Sequence, residues 1–206
     1  MFLTLSNRLQ QLATQPLALS EARLKILNKL IAHLRQKKQA NSGILLNFIC
    51  THNSRRSHLA QAWAYAWAKY YQIEQLELYS GGTEATAFHP NSVQALQADG
   101  FKIEAQDSSD NPKYLLQTAT TDIGLWMYSK KFDTAENPTN HFVAILVCSD
   151  ADEACPFVPG CELRIALPFE DPKISDGTDQ TAATYLAKSR EIALQIGYVL
   201  REVAKG

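Results

Sequence analysis

Five residues separate Cys50 from Arg56 in the stretch ILLNFICTHNSRRSHLAQAWA, residues 44–64. A thiolate is a strong nucleophile, and a guanidinium offers a planar, two-pronged donor matched to a tetrahedral oxyanion. ILLNFI reads as a short buried strand ending on Cys50, and a helical pattern begins just after Arg56, so THNSR must turn within one tight loop. A loop in that place can point backbone N–H groups inward, and the helix behind it adds its own unpaired N–H groups and the positive end of its dipole. Such a field favours the thiolate of Cys50 and makes it a candidate nucleophile. The plain alternative is a buried strand-end cysteine before an ordinary strand-to-helix loop.

The elements that would position this pair can be read on either side of it. LELYS reads as the next strand and NSVQALQADG as a helix ending on Gly100. VAILVC and LRIALPF read as buried strands, and TAATYLAKSREIALQIGYVLREVA as a long amphipathic closing helix. PKYLLQ and IGLWMYSKKF suggest an extra hairpin. Strands alternating with helices predict an α/β fold, an open, mostly parallel sheet with helices on both faces that binds ligands beyond the carboxyl ends of its strands. Residues 1–42 differ. Ser20 is a candidate N-cap, Leu24, Leu27, Ile31 and Leu34 recur at helical spacing, and the polar RQKKQANSG follows. They predict an N-terminal helical extension ahead of a main domain at 43–206, packed on that domain or on a partner, with no catalytic group in view.

Composition limits the function classes. A chain of 206 residues, 46% hydrophobic and 20% charged, suits one globular domain with a small appendage. Twenty Lys+Arg against 21 Asp+Glu give no bulk electrostatic reason to bind nucleic acid or an anionic membrane, so anion recognition must be local. No stretch approaches the roughly 18 apolar residues of a membrane span, and MFLTLSNRLQQLATQ lacks a leader's basic start and apolar run. That predicts a cytoplasmic protein with reduced thiols. The four cysteines form no CxxC pair, and His58, His89 and His141 show no metal-ligand spacing with them, which predicts no catalytic metal. Trp63 and Trp67, four apart on a helix, read as packing residues.

CTHNSRRS resembles the phosphate-binding loop of the low-molecular-weight protein tyrosine phosphatases and of the thioredoxin-coupled arsenate reductases built on that fold. The resemblance runs on through YSGGTEATAFHPNSVQALQADG to the last helix. It implies Cys50 as nucleophile, Asn53 as the residue bracing the loop, Arg56 as oxyanion clamp and Ser57 as a hydroxyl supporting the thiolate. Thr51, His52, Asn53, Ser54, Arg55, Arg56 and Ser57 would form the oxyanion-binding loop. His52 stands where these loops usually carry glycine, and Arg55 where a second loop cysteine is common. LPFEDPK places Glu170 and Asp171 beyond a strand; the family pattern puts its general acid at the Asp of Asp-Pro, here Asp171, which by itself reads as a turn aspartate. The phosphatases typically follow that dipeptide with tyrosines that wall the phosphotyrosine cleft, whereas Lys173 and Ile174 follow here. Gln61 stands where related reductases carry the acidic residue of a monovalent cation site.

VAILVCSDADEACPF places Cys148 at another strand end and Cys155 seven residues on. The tyrosine phosphatases have no use for such a pair, but the reductases carry one at this place and spacing. The resemblance thus implies a disulfide cascade from Cys50 through Cys148 to Cys155. A helix over 149–156 would hold the two α-carbons roughly 10 Å apart at about 1.5 Å per residue, and a disulfide needs them within about 7 Å. The segment would have to unwind, and Pro156, Pro159 and Gly160 already work against a long helix. Cys161 reads as a small apolar filler, with a pairing to Cys155 left open. The function implied is a thiol-based arsenate reductase acting on an arsenate or phosphate oxyanion, with no tightly bound cofactor and a thioredoxin-type protein as electron donor. The alternatives are a tyrosine phosphatase that hydrolyses a phosphocysteine at Cys50, and an oxyanion-binding or redox-sensing module without turnover.

Overall fold

The computed structural model describes residues 1–154 and 157–206. Its elements begin with α1 (Leu3–Thr14), α2 (Glu21–Gln39), β1 (Ile44–Cys50), α3 (Arg56–Tyr70), β2 (Leu76–Gly82), α4 (Pro90–Ala98) and β3 (Lys102–Ala105). They continue with β4 (Tyr114–Gln117), β5 (Leu125–Met127), β6 (Phe142–Leu146), α5 (Ser149–Ala154), β7 (Cys161–Ala166), a 3-10 turn (Pro172–Ser175) and α6 (Thr181–Lys205). The apolar runs become a parallel sheet in the order β2-β1-β6-β7. Every residue of β6 is buried, as are all of β1 except Leu45, so the two middle strands are covered on both faces. Trp63 and Trp67 lie between α3 and α6 and donate their indole N–H groups to Ser189 Oγ (2.9 Å) and the Ala193 carbonyl (2.8 Å).

Two elements differ from the sequence expectation. The suggested hairpin is an antiparallel sheet of three strands, β3-β4-β5, whose first member, KIEA, escaped notice because only Ile103 of its four residues is buried. The VAILVC strand ends at Leu146, so Cys148 stands two residues past it, at the entry to α5.

The extension is helical. Ser20 Oγ accepts the Arg23 N–H at 3.2 Å and starts α2, as its cap position requires. Leu5, Leu9, Leu12, Leu27, Leu30, Ile31 and Leu34 are buried in one apolar cluster with the sheet and α6. Each such side chain is worth roughly 1.5–3 kcal/mol against leaving it in water. Asp99, fully buried at the end of α4, takes Arg8 Nε from α1 and Arg190 Nη2 from α6, each at 2.7 Å, which pins the extension to the domain. Among the described residues no helix is long and apolar enough to cross a membrane.

Candidate active site

The chain leaves β1 outward to β2 and returns on the other side to β6, and this reversal is where open parallel sheets bind ligands, beyond their carboxyl ends. Cys50 ends β1 there and is 3% exposed. The loop after it is fastened from outside through its carbonyls. Cys50 O accepts from Thr83 N (3.1 Å), Thr51 O from Glu84 N (2.8 Å), and Ser54 O from His89 N (2.9 Å). His52 O accepts from Ser129 Oγ (2.9 Å) and Thr86 Oγ1 (3.2 Å), and Arg55 O from Leu59 N (2.9 Å). A trans peptide is planar with its N–H opposite its carbonyl, so the N–H groups of Thr51, His52, Asn53, Arg55 and Arg56 face away from those braces. Gly82 lets this happen: a Cβ there would come within 2.6 Å of both Asn53 N and Thr51 O.

The glycine missing at position 52 proves unnecessary. The left-handed residue of the loop is Asn53, with φ 44°, a conformation that asparagine tolerates. Asn53 is fully buried; its amide donates to Ser57 Oγ at 2.9 Å, and its Oδ1 accepts the Lys130 backbone N–H at 2.9 Å. Ser57 Oγ lies 3.1 Å from Cys50 Sγ. Since the serine oxygen already accepts from Asn53, its own proton is free to point at the sulfur, the arrangement that supports a thiolate.

Arg56 is 6% exposed and donates Nη1 to the Phe169 carbonyl (3.0 Å) and Nη2 to Asp171 Oδ2 (2.6 Å). Among the described residues its Nε is buried without an acceptor, an unmet donor that a bound oxyanion would satisfy. Asp171 is the turn aspartate that Asp-Pro suggests, and it has a second partner. It caps the 3-10 turn by accepting Lys173 N at 3.0 Å, and it holds the guanidinium. Phe169 sits at the end of a run that continues the β6–β7 pairing, with Phe169 N bonded to Val147 O at 3.1 Å.

Cys148 is fully buried and accepts the Ala151 N–H at 3.3 Å, and Thr51 Oγ1 lies 3.5 Å from its sulfur. The thiol two residues past β6 therefore reaches the residue next to Cys50. Cys155 lies outside the described residues. Cys161 opens β7 opposite Phe142, at the amino end of the sheet and away from the loop; burial pushes its thiol up.

The rim places other expected residues differently. Arg55 turns outward, with Nε on Tyr185 Oη (2.8 Å) and Nη2 3.5 Å from Asp176 Oδ2. His52 is half exposed, 3.6 Å from Glu84. His89 caps α4 through Nδ1, which accepts Asn91 N at 3.3 Å, and its Nε2 faces Asp176 at 3.8 Å. Burial, then the Arg55 charge, lowers its proton affinity. His58 lies behind the loop, fully buried against Phe88 (4.1 Å between ring centres); burial and then the charge of Lys130 push it down to about 3, so it is neutral. Gln61 is spent on packing, giving its amide N–H to the Leu78 carbonyl at 2.9 Å. Among the described residues no group of three or more His, Cys, Asp or Glu is placed to hold a metal ion.

Residues the sequence did not flag do much of the bracing: Thr83, Glu84, Thr86, Ser129 and Lys130. Lys130 is 8% exposed, its ammonium 4.7 Å over the Tyr128 ring, and burial pushes it down to about 8. Their signal was faint because they act through backbone groups and short hydroxyls that follow no period. The nearest hint was the run of small residues in YSGGTEAT.

The chain belongs to the low molecular weight phosphotyrosine protein phosphatase family, which it matches over residues 45–150. The match takes in Cys50, its loop and Cys148 and stops short of Asp171. The chain is similar to the arsenate reductase of Halalkalibacterium halodurans, 29% identical over 136 residues, which cover 66% of this chain and 79% of that protein. It is similar also to the arsenate reductase of Bacillus subtilis, 28% identical over 161 residues, 78% of this chain and 95% of that protein. A solved low molecular weight protein tyrosine phosphatase from T. tengcongensis aligns over 79% of this chain and 99% of its own, at 15% identity and a TM-score of 0.49.

Proposed function

We propose that the protein is a thiol-based arsenate reductase. The observation that carries this reading is the second sulfur: Cys148, buried beside Thr51, one residue from the candidate nucleophile. Hydrolysis of a phosphocysteine has no use for it, whereas reducing arsenate by two electrons requires a second thiol. The curated relatives are arsenate reductases, which supports the same substrate.

In this reading arsenate takes the loop N–H groups and the guanidinium of Arg56. The anion competes with Asp171 for Arg56, so the carboxyl group comes beside the bound oxyanion. Asp171 can then protonate a departing oxygen. The Cys50 thiolate attacks arsenic, an As–S bond forms, and one oxygen leaves as water. Cys148, as thiolate, attacks Cys50 Sγ. The S–S bond forms while the As–S bond breaks with its electron pair going to arsenic, which departs as arsenite. Cys155 is the proposed resolving thiol. It attacks Cys148 Sγ, frees Cys50 as thiolate, and leaves a Cys148–Cys155 disulfide for a thioredoxin-type dithiol to reduce. Each exchange needs a thiolate and an accessible sulfur, so the Ala151 N–H must release Cys148. Mass spectrometry after one arsenate turnover without reductant is expected to find Cys148 joined to Cys155. Arsenite formed with all four cysteines still reduced would remove the cascade.

One observation favours a second reading, hydrolysis of phosphotyrosine. A groove of about 370 Å³ runs beside the loop past His52, Arg55, Phe88, His89 and Lys173, more room than an inorganic oxyanion needs. That reading expects efficient phosphotyrosine hydrolysis indifferent to Cys148 and Cys155.

A further inference from the structure

The extension adds no residue to the loop, yet one of its side chains reaches the oxyanion clamp at one remove. We propose that Arg23, on α2, is a positioning residue for Arg56, acting through Phe169. The inference rests on the reading that Arg56 holds the oxyanion, and it goes beyond that reading by giving residues 1–42 a part in the site.

The Arg23 guanidinium lies 4.7 Å over the centre of the Phe169 ring, and its Nε donates to Gln195 Oε1 at 2.7 Å. Gln195 is 4% exposed on α6, so Arg23 is itself anchored to the domain. Phe169 is 4% exposed, and its carbonyl fixes Arg56 Nη1 at 3.0 Å. It is also the last buried point before the acid turn, since the next side chain, Glu170, is 96% exposed. The clamping carbonyl lies one peptide beyond the hydrogen bond from Phe169 N to Val147 O that ties this residue to the end of β6. Movement of the Phe169 backbone past that hydrogen bond is opposed by its buried ring, and the ring is held from the extension side by a cation on its face. Losing Arg23 should let the carbonyl and Arg56 wander together, so that an anion meets a less well ordered donor.

Arg8 supplies the comparison. It ties the same extension to the same domain through Asp99 and Arg190, and its contacts do not include the clamp. A role in stability alone would make the two arginines equivalent; a positioning role would not.

The test measures binding of inorganic phosphate by the full chain, read from protection of Cys50 against iodoacetamide, together with thermal unfolding. Arg23→Ala is expected to weaken phosphate binding roughly fivefold, the size of one cation–π contact, and Arg23→Lys to recover part of the loss. Phe169→Leu, which keeps apolar volume but removes the π face, should give a similar loss, and the double variant no further one. Arg8→Ala should lower the melting temperature and leave phosphate affinity unchanged. Wild-type affinity in Arg23→Ala, or an equal loss in Arg8→Ala, would overturn the proposal. A wild-type chain that phosphate fails to protect would remove the clamp and this inference with it. Failure to reduce arsenate would instead strike the proposed function and leave the phosphate result standing.

Discussion

Cys50 and Cys148 are both buried near the carboxyl ends of neighbouring strands, but their surroundings differ in kind. Around Cys50 the carbonyls of residues 50, 51, 52 and 54 are tied to Thr83, Glu84, Thr86, Ser129 and His89, and Asn53 is fixed at both ends of its amide. Around Cys148, among the described residues, the sulfur meets one backbone N–H and one hydroxyl at the entry to α5. The first region suits holding a charge still; the second can give up a sulfur at the cost of few bonds. A reductase that passes oxidation from one thiol to another needs both.

The largest effect that would sharpen this contrast is expected from Cys148→Ser. Arsenite formation at steady state should fall to background while hydrolysis of a small aryl phosphate persists; equal arsenate reduction by the variant would break the comparison. Next comes Asp171→Asn, which keeps shape but cannot supply the proton. It should lower turnover about 10²- to 10⁴-fold in single-turnover kinetics, and a loss under tenfold would deny Asp171 the acid role. Asn53→Ala cuts the brace of the first region and places alanine at a left-handed φ. Urea unfolding should show a loss of about 2–4 kcal/mol, with weaker phosphate protection of Cys50. The matching cut in the second region, Asp152→Ala, removes the ion pair to Arg164, whose partners are a quarter to a third exposed. It should cost about 1 kcal/mol or less.

The smallest effect at neutral pH concerns His58, behind the Cys50 loop. Folded, it stays neutral down to about 3, while an unfolded histidine takes its proton near the ordinary 6.5. Between those values the unfolded chain binds more protons, so stability falls as pH drops through that window. Urea titrations from pH 7 to 4 should lose this slope in His58→Gln. An unchanged slope would show that His58 does not drive the acid sensitivity.

Much of this was legible in the residues themselves. The apolar run ending on Cys50, the start of a helix at Arg56 and the Ser20 cap follow patterns with strong local physics, and each is found where periodicity and capping chemistry put it. The carbonyl braces were not legible, because they join segments up to 77 residues apart through groups every residue carries. Nor was the outward turn of Arg55, which depends on Tyr185 in the last helix. The contact between Arg56 and Asp171 was not legible either: the resemblance implied a role for each, but 115 residues separate them and nothing in the intervening chain encodes the pairing.

The central claim is that the Cys50 loop and Arg56 hold a tetrahedral oxyanion against the Cys50 sulfur. Alkylation of Cys50 by iodoacetamide, followed against rising phosphate in the wild-type chain and in Arg56→Ala, tests it most directly. Phosphate is predicted to slow the wild-type reaction and to leave that of the variant nearly unchanged, and equal protection of both would contradict the claim.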